Sequence, residues 1–334
     1  MSQSGISVII TAYNRKGFVK NAIFSLLEQT LKRSMFEVIV VTNFKVELGE
    51  IPSDFQLSII NIDGTIGEFL YNGFLAAKFD LIVFLDDDDT FDPDKLRRVK
   101  EVFSRHTRLC YFHNSMKYVD INLRPIKFVR LVEDKKYLDM IKDIVFSATS
   151  NSNIIREALL FRGDFNLSSI SIRKKCFLPY LSLLRRIVSC QDGFFFFTGL
   201  LSMGDLMVSK DKLTNYMVHN SNISGSKNFG NKVSEEVREI RTYDMIYDFI
   251  VKSAIPTKLK HNLGNWVLLY KLEYSLMSLV FGSASRLLIL KYFVKLLVIE
   301  SKFSNTLKRR ILVFAIVGVI SNRLAKKIYI IVNH

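Results

Sequence analysis

A chain of 334 residues with 49% hydrophobic and 24% charged residues is long enough for two domains and has a globular, not a disordered, composition. Its net charge of +15 is unevenly placed: residues 249–334 hold 14 Lys and Arg against 2 acidic residues, which leaves +3 upstream and argues against a nucleic-acid footprint along the whole chain. The three cysteines, Cys110, Cys176 and Cys190, form no C-x-x-C pair, and their odd number argues against a disulfide framework, so a reducing cytoplasm is the expectation.

No basic segment followed by an apolar one opens the chain, so no targeting signal is expected, and there is no internal repeat. Residues 6–113 alternate short β-branched runs with helical patterns, the mark of a parallel, doubly wound α/β sheet. Strands are expected at 6–10, 37–42, 57–61, 81–85 and 109–113, and helices near 17–29, 66–78 and 93–104. Asp92 followed by Pro93 reads as an N-cap with proline at the first helical position. Residues 114–230 are less regular, with a strand-like piece at 169–172 and a helical run at 193–201. From about residue 232 the pattern is helical almost to the end, which places a boundary there.

Residues 84–89 read FLDDDD, four carboxylates behind the apolar run 81–85. Ligands of open α/β sheets bind beyond the carboxyl ends of the strands, where this cluster falls. A hard cation such as Mg2+ or Mn2+ takes one or two carboxylates and completes its shell with substrate phosphates, and it would relieve the repulsion among the four. A solvated acidic turn that caps the next helix is the plainer alternative, but Asp92 already supplies that cap.

The residues also carry a resemblance. ISVIITAYNR, residues 6–15, resembles the opening strand and loop of family 2 glycosyltransferases, usually written near VSVIIPTYNR, and FLDDDD resembles their FLDADD, which contains the D-x-D motif. Gly73 stands where that family has the glycine of ARNxG, Gln191-Asp192 where it has Glu-Asp, and residues 215–224, NYMVHNSNIS, resemble its later Y-R-x-H signature. The resemblance covers residues 6 to about 225 and implies an α/β GT-A fold, a Rossmann-like mixed sheet with a C-terminal helical region. The implied domains are a catalytic one at 1–231, with a nucleotide-binding half (1–113) and an acceptor half (114–231), and a basic helical region at 232–334.

Carried over residue by residue, the resemblance implies a hexosyltransferase-type enzyme that uses Mn2+ or Mg2+ and a UDP- or GDP-sugar donor. Asp88 would be the metal ligand, with His219 facing the metal or the diphosphate; Asp86 would contact ribose or diphosphate, beside Asp87. Thr11, Ala12, Tyr13 and Arg15 would line the nucleotide pocket, and Asp192 would be the base that takes a proton from the acceptor hydroxyl with inversion at the anomeric carbon. Two departures stand out. Thr42 and Asn43 replace the acids of VVDDGS at the end of the second strand, and Leu70 and Tyr71 replace the Arg-Asn pair of ARNxG, with Asp63 and Asn72 as candidate substitutes. Phe194 to Phe197 follow Asp192; they are expected to fill the core and to raise its pKa.

The apolar run at 311–320 would span only about 15 Å as a helix against roughly 30 Å of bilayer hydrocarbon, too short to cross. Residues 287–299, with Lys291 and Lys295 on one face among leucines and aromatics, read as an interfacial helix. The expectation is peripheral binding to the anionic cytoplasmic membrane face, near a glycan or lipid-linked acceptor; a basic helical subdomain packed on the catalytic domain is the alternative. Two rival functions fit parts of the pattern: a sugar-phosphate nucleotidyltransferase, which should carry a glycine-rich basic loop that TAYNRKG (11–17) lacks, and a basic nucleic-acid or membrane-binding protein without catalysis. No nucleic-acid partner is expected.

Overall fold

The computed structural model describes residues 5–126, 142–219 and 229–282, with 285, 287–292, 294, 320, 321 and 325 beyond them. The described residues form two compact units, one ending at Val218 and the other starting at His219.

The first unit is built on nine strands: β1 Ile6–Ala12, β2 Phe36–Thr42, β3 Leu57–Asn61, β4 Leu81–Asp86, β5 Thr90–Phe91, β6 Leu109–Val119, β7 Ile144–Ser147, β8 Ile170–Arg173 and β9 Asp205–Met217. Their order is β3-β2-β1-β4-β8-β6-β9-β5, with β7 paired to β9. The half β3-β2-β1-β4 is parallel, but β8 joins both β4 and β6 antiparallel, so the sheet is mixed where the local pattern suggests a parallel one. The five expected strands form within two residues of their expected bounds, except that β6 runs on to Val119. Every residue of β1 and β2 is buried, as befits strands covered on both faces.

Three helices follow the parallel strands: α1 Val19–Leu27, α2 Ile66–Ala76 and α3 Lys95–Arg105. In α1 the buried residues Val19, Ala22, Ile23 and Leu26 recur every three or four positions, so one stripe faces the sheet. Helix α2 starts in a capping box, in which the Thr65 side chain accepts from the Glu68 amide and the Glu68 side chain accepts from the Thr65 amide. Gly73 lets α2 approach β1, since a Cβ there would lie 2.6 Å from Ile9 Cγ2. The helix after Asp92-Pro93 begins two residues later than expected, at Lys95; the Asp92 carboxylate still accepts the Asp94 amide, so it terminates the chain ahead of the helix as an Asx turn.

In the second half of this unit lie α4 Ser152–Leu160 and α5 Gln191–Leu201. All four phenylalanines of α5 are buried; Phe195 packs on Phe84 of β4 at 4.5 Å and Phe196 meets Tyr111 of β6 edge-on. The cysteines depart from expectation, because Cys110 on β6 and Cys176 are joined as a disulfide that does not include Cys190. Parity leaves one pair possible among three cysteines, and the β6·β8 pairing carries Cys176, three residues beyond β8, alongside Cys110.

The second unit contains α6 Phe229–Lys252 and α7 Thr257–Phe281, joined across Pro256 and packed through Tyr243, which stacks on Tyr270 and Tyr274. Among the described residues no helix is long and apolar enough to cross a membrane. The apolar run expected at 311–320 lies outside the described residues except for Ile320, and so does most of 293–299.

Candidate active site

Chain order puts β2 and β3 on one side of β1 and β4 on the other, so the sheet order reverses between β1 and β4. The crevice at the carboxyl ends of such a pair is the usual binding place in open α/β sheets. Here the ends are in register, Thr11 opposite Asp86 and Ala12 opposite Thr42. The Thr11 hydroxyl donates to Asp86 Oδ1 at 3.3 Å, which ties the two strand ends together.

Past Asp86 the chain turns through Asp87, Asp88 and Asp89 into β5. Arg15, on the loop after β1, spans two of these carboxylates: Nη2 pairs with Asp87 Oδ1 and Nη1 with Asp88 Oδ2. Asp87 is fully buried, and its Oδ2 has no hydrogen-bond partner among the described residues. Asp89 Oδ1 accepts the Met217 amide at 3.0 Å, and its carboxylate also bonds Ser168. Burial, and then the charge of Asp88, push Asp86 up to about 7. Burial pushes Asp87 up to about 8 against the pull of Arg15, and raises Asp89 well above the ordinary carboxylate range with help from Asp88 and Asp86.

Asp192 sits in the first turn of α5. Its Oδ2 accepts the Asn166 amide at 3.1 Å and its Oδ1 the Gly193 amide at 2.9 Å. Burial pushes its pKa up to about 6, and its charge in turn raises that of Asp86, so the two carboxylates feel each other. The Phe84–Phe195 contact joins the two stretches, Phe84 standing two residues before Asp86 and Phe195 three after Asp192.

The other expected residues divide. Tyr13 is 53% exposed, with its ring edge-on to Phe69, at the open side of the crevice. Asn43 accepts the Asn14 amide and donates from Nδ2 to Asn14 Oδ1, so the loops after β1 and β2 are clasped. Thr42 is buried and spends its hydroxyl on the Phe44 backbone, and Ala12 is buried in the sheet. Asp63 is exposed after β3, and Asn72 donates to the Glu68 carbonyl of its own helix. His219 is half-buried and opens the second unit, whereas the corner belongs to the first.

The pattern reading missed the segment 166–168. Ser168 is fully buried, its Oγ accepts the Asp86 amide at 3.0 Å, and it reaches Asp89, while the Asn166 amide holds Asp192. Asn166 has φ 65°, in the left-handed region that asparagine tolerates better than most residues. The run Asn166-Leu167-Ser168-Ser169 is a polar cluster ahead of a strand, but nothing local aims it at two separate carboxylates.

Residues 7–160 match the family model described as glycosyl transferase family 2. That match covers a little under half of the chain, and over those residues the chain is similar to the family 2 glycosyltransferases. An uncharacterized glycosyltransferase of Haemophilus influenzae is 32% identical to it over 121 residues, 35% of this chain and 40% of that protein. One of Nostoc sp. is 35% identical over 106 residues, 29% of this chain and 32% of that protein. The chain thus spans about a third to two fifths of the curated relatives it matches. Among solved structures, S. aureus TarS 1-349 in complex with UDP-GlcNAc superposes with a TM-score of 0.60 at 14% identity, covering 97% of this chain and 91% of that one. The mannosyltransferase PcManGT from Pyrobaculum calidifontis, in complex with GDP-Man and Mn2+, gives 0.54 at 11% identity over 96% and 86%. The fold is that of the GT-A glycosyltransferases.

The acidic corner suits a hard divalent cation. It is all oxygen, it holds four carboxylates against one guanidinium, and one buried carboxylate oxygen lacks a partner. No three His, Cys, Asp or Glu side chains converge as a ready-made cage among the described residues.

Proposed function

We propose that the chain is an inverting glycosyltransferase that moves a sugar from a nucleoside-diphosphate sugar to an acceptor hydroxyl. The observation that carries this reading is that one short segment, 166–168, holds both Asp192 through the Asn166 amide and Asp86 at the sheet's switch point through Ser168 Oγ. The complexes of TarS with UDP-GlcNAc and of PcManGT with GDP-Man support the donor class.

Tyr13, exposed at the rim, offers a ring face to the base, and Asn43, clasped to Asn14, fixes the loop beside it. Thr11 and Ser168 hold Asp86 from its side chain and its amide, so its carboxylate stays at the mouth of the crevice. Asp88, with Asp86 beside it, would hold the cation, which when bound neutralises negative charge that grows on the leaving diphosphate. Asp192 accepts the proton of the acceptor hydroxyl as oxygen attacks the anomeric carbon; the Asn166 and Gly193 amides keep its oxygens oriented while it does so. With one displacement and one base, the product has the opposite anomeric configuration from the donor.

A thermal-shift panel with UDP-GlcNAc, UDP-glucose and GDP-mannose, each with and without Mn2+, tests the donor assignment. Stabilisation that needs nucleotide and metal together is the expected result; no response to any donor defeats it. Proton NMR of the glycosylated product then tests inversion.

For the C-terminal region the proposal is peripheral attachment to an anionic membrane surface near the acceptor. Leu287 is 78% exposed, and Leu290 and Val294 are also exposed beside the exposed Lys291, the apolar-plus-basic surface that headgroups take up. Flotation with phosphatidylserine liposomes tests it, and equal flotation after removal of residues 249–334 defeats it.

A further inference from the structure

The guanidinium of Arg15 is not forked on a single carboxylate. One nitrogen serves Asp87 and another Asp88, so a single side chain compensates two charges on adjacent residues. Asp87 is fully buried with one oxygen already unpartnered, and Asp88 is nearly as buried. Taking the guanidinium away from such a pair without replacement leaves buried charge uncompensated, which is strongly unfavourable. Arg15 therefore stays until an anion receives its guanidinium and another cation can replace its charge at the two carboxylates. A dication seeking Asp88 Oδ2 competes with the guanidinium nitrogen that already occupies that oxygen, and two positive groups on one carboxylate repel.

What could draw Arg15 off is also visible. The loop that carries it is exposed on both sides, at Tyr13, Asn14, Lys16 and Gly17, while Arg15 itself is about a quarter exposed. A diphosphate entering the crevice at the ends of β1 and β4 meets the accessible edge of a planar five-donor group that binds phosphate bidentately.

We infer that Arg15 is a built-in occupant of the cation position: it neutralises Asp87 and Asp88 in the empty domain and releases Asp88 only when a nucleoside diphosphate engages it. Nucleotide and cation consequently bind cooperatively, and removal of the guanidinium uncouples them. The inference rests on the donor and cation reading proposed above and adds an order of events to it. By linkage, the factor by which UDP tightens Mn2+ equals the factor by which Mn2+ tightens UDP.

The test is a Mn2+ titration of the full chain followed by loss of the free-ion electron paramagnetic resonance signal, with and without UDP or GDP, on wild type, Arg15→Gln and Arg15→Lys. Wild type should bind Mn2+ weakly alone and about tenfold or more tightly with nucleotide, within the usual range of site-to-site coupling. Arg15→Gln should bind Mn2+ about tenfold more tightly than wild type with no nucleotide present, and the nucleotide should then add little. Arg15→Lys, whose single ammonium does not serve two carboxylates equally well, should fall between them, and it carries the comparison if the Gln variant fails to fold by circular dichroism. Nucleotide-independent Mn2+ affinity in wild type, or unchanged affinity in both variants, overturns the inference. Failure of every form to bind UDP or GDP defeats the donor assignment instead, while the nucleotide-free comparison of wild type with the variants still decides where Arg15 sits.

Discussion

Asp192→Asn separates catalysis from stability at this site. The carboxylate accepts two backbone amides, Asn166 on Oδ2 and Gly193 on Oδ1. An asparagine has one accepting oxygen, so one of the two N–H groups must face an NH2, at a cost of about 1–3 kcal/mol. Against that, the native carboxyl is pushed from 3.8 to about 6 by burial. The raised value means that ionisation disfavours the folded state: the destabilisation grows as pH rises from about 4 to 6 and amounts to roughly 3 kcal/mol above that. The amide cannot ionise and escapes it. At pH 8 the relief meets or exceeds the cost, so the variant should be as stable as wild type or more stable by up to about 2 kcal/mol. Loss of a general base should lower kcat by about 10²–10⁴, or roughly 3–5 kcal/mol of barrier. The assays are denaturant unfolding at pH 8 and nucleotide release from the donor that the thermal-shift panel selects. Wild-type kcat should fall as pH drops through about 6, where Asp192 gains its proton, and that limb should vanish in the variant. Turnover within threefold of wild type, with the limb intact, would refute the reasoning about Asp192.

Other expectations follow from packing. Ser168→Ala removes the acceptor of the Asp86 amide and a partner of Asp89, and should lower stability by about 1–3 kcal/mol and reduce the metal-dependent rate; thermal melts and kcat at saturating Mn2+ measure both. Gly67→Ala would place a Cβ 2.3 Å from the Leu184 carbonyl oxygen, which forces α2 away from the segment that leads to Asp192, and should cost about 1–3 kcal/mol or more in urea unfolding. Phe195→Ala empties a fully buried site against Phe84 and should cost about 3–5 kcal/mol; it should also lower kcat more than it raises the donor KM, because it loosens the helix that carries Asp192.

Much of the nucleotide half was readable along the chain. Continuous β-branched runs over 6–10, 37–42 and 81–85 become strands buried on both faces, and the stripe of α1 and the capping box of α2 obey rules that operate within a few residues. FLDDDD could be placed at a strand end for the same reason, since the switch from apolar run to acidic turn is a local event. The placement of β8 between β4 and β6 was not readable, because four residues of strand carry no mark of the partners they take.

The same division runs through the site. Residue type and order by themselves pointed to the acidic corner and the apolar helix at 193–201, while the carboxylate at 192 was singled out by the family resemblance. Only the tertiary structure decided that Arg15 bridges Asp87 and Asp88, that residues 166–168 hold both Asp86 and Asp192, that Asn72 bonds its own helix and that Cys110 meets Cys176. The physical reason is range. Periodicity and capping are settled by neighbours within one or two turns, whereas Asp86 meets Ser168 across 82 positions and Asp192 meets Asn166 across 26, distances over which hydrogen-bonding partners are chosen by the packed sheet.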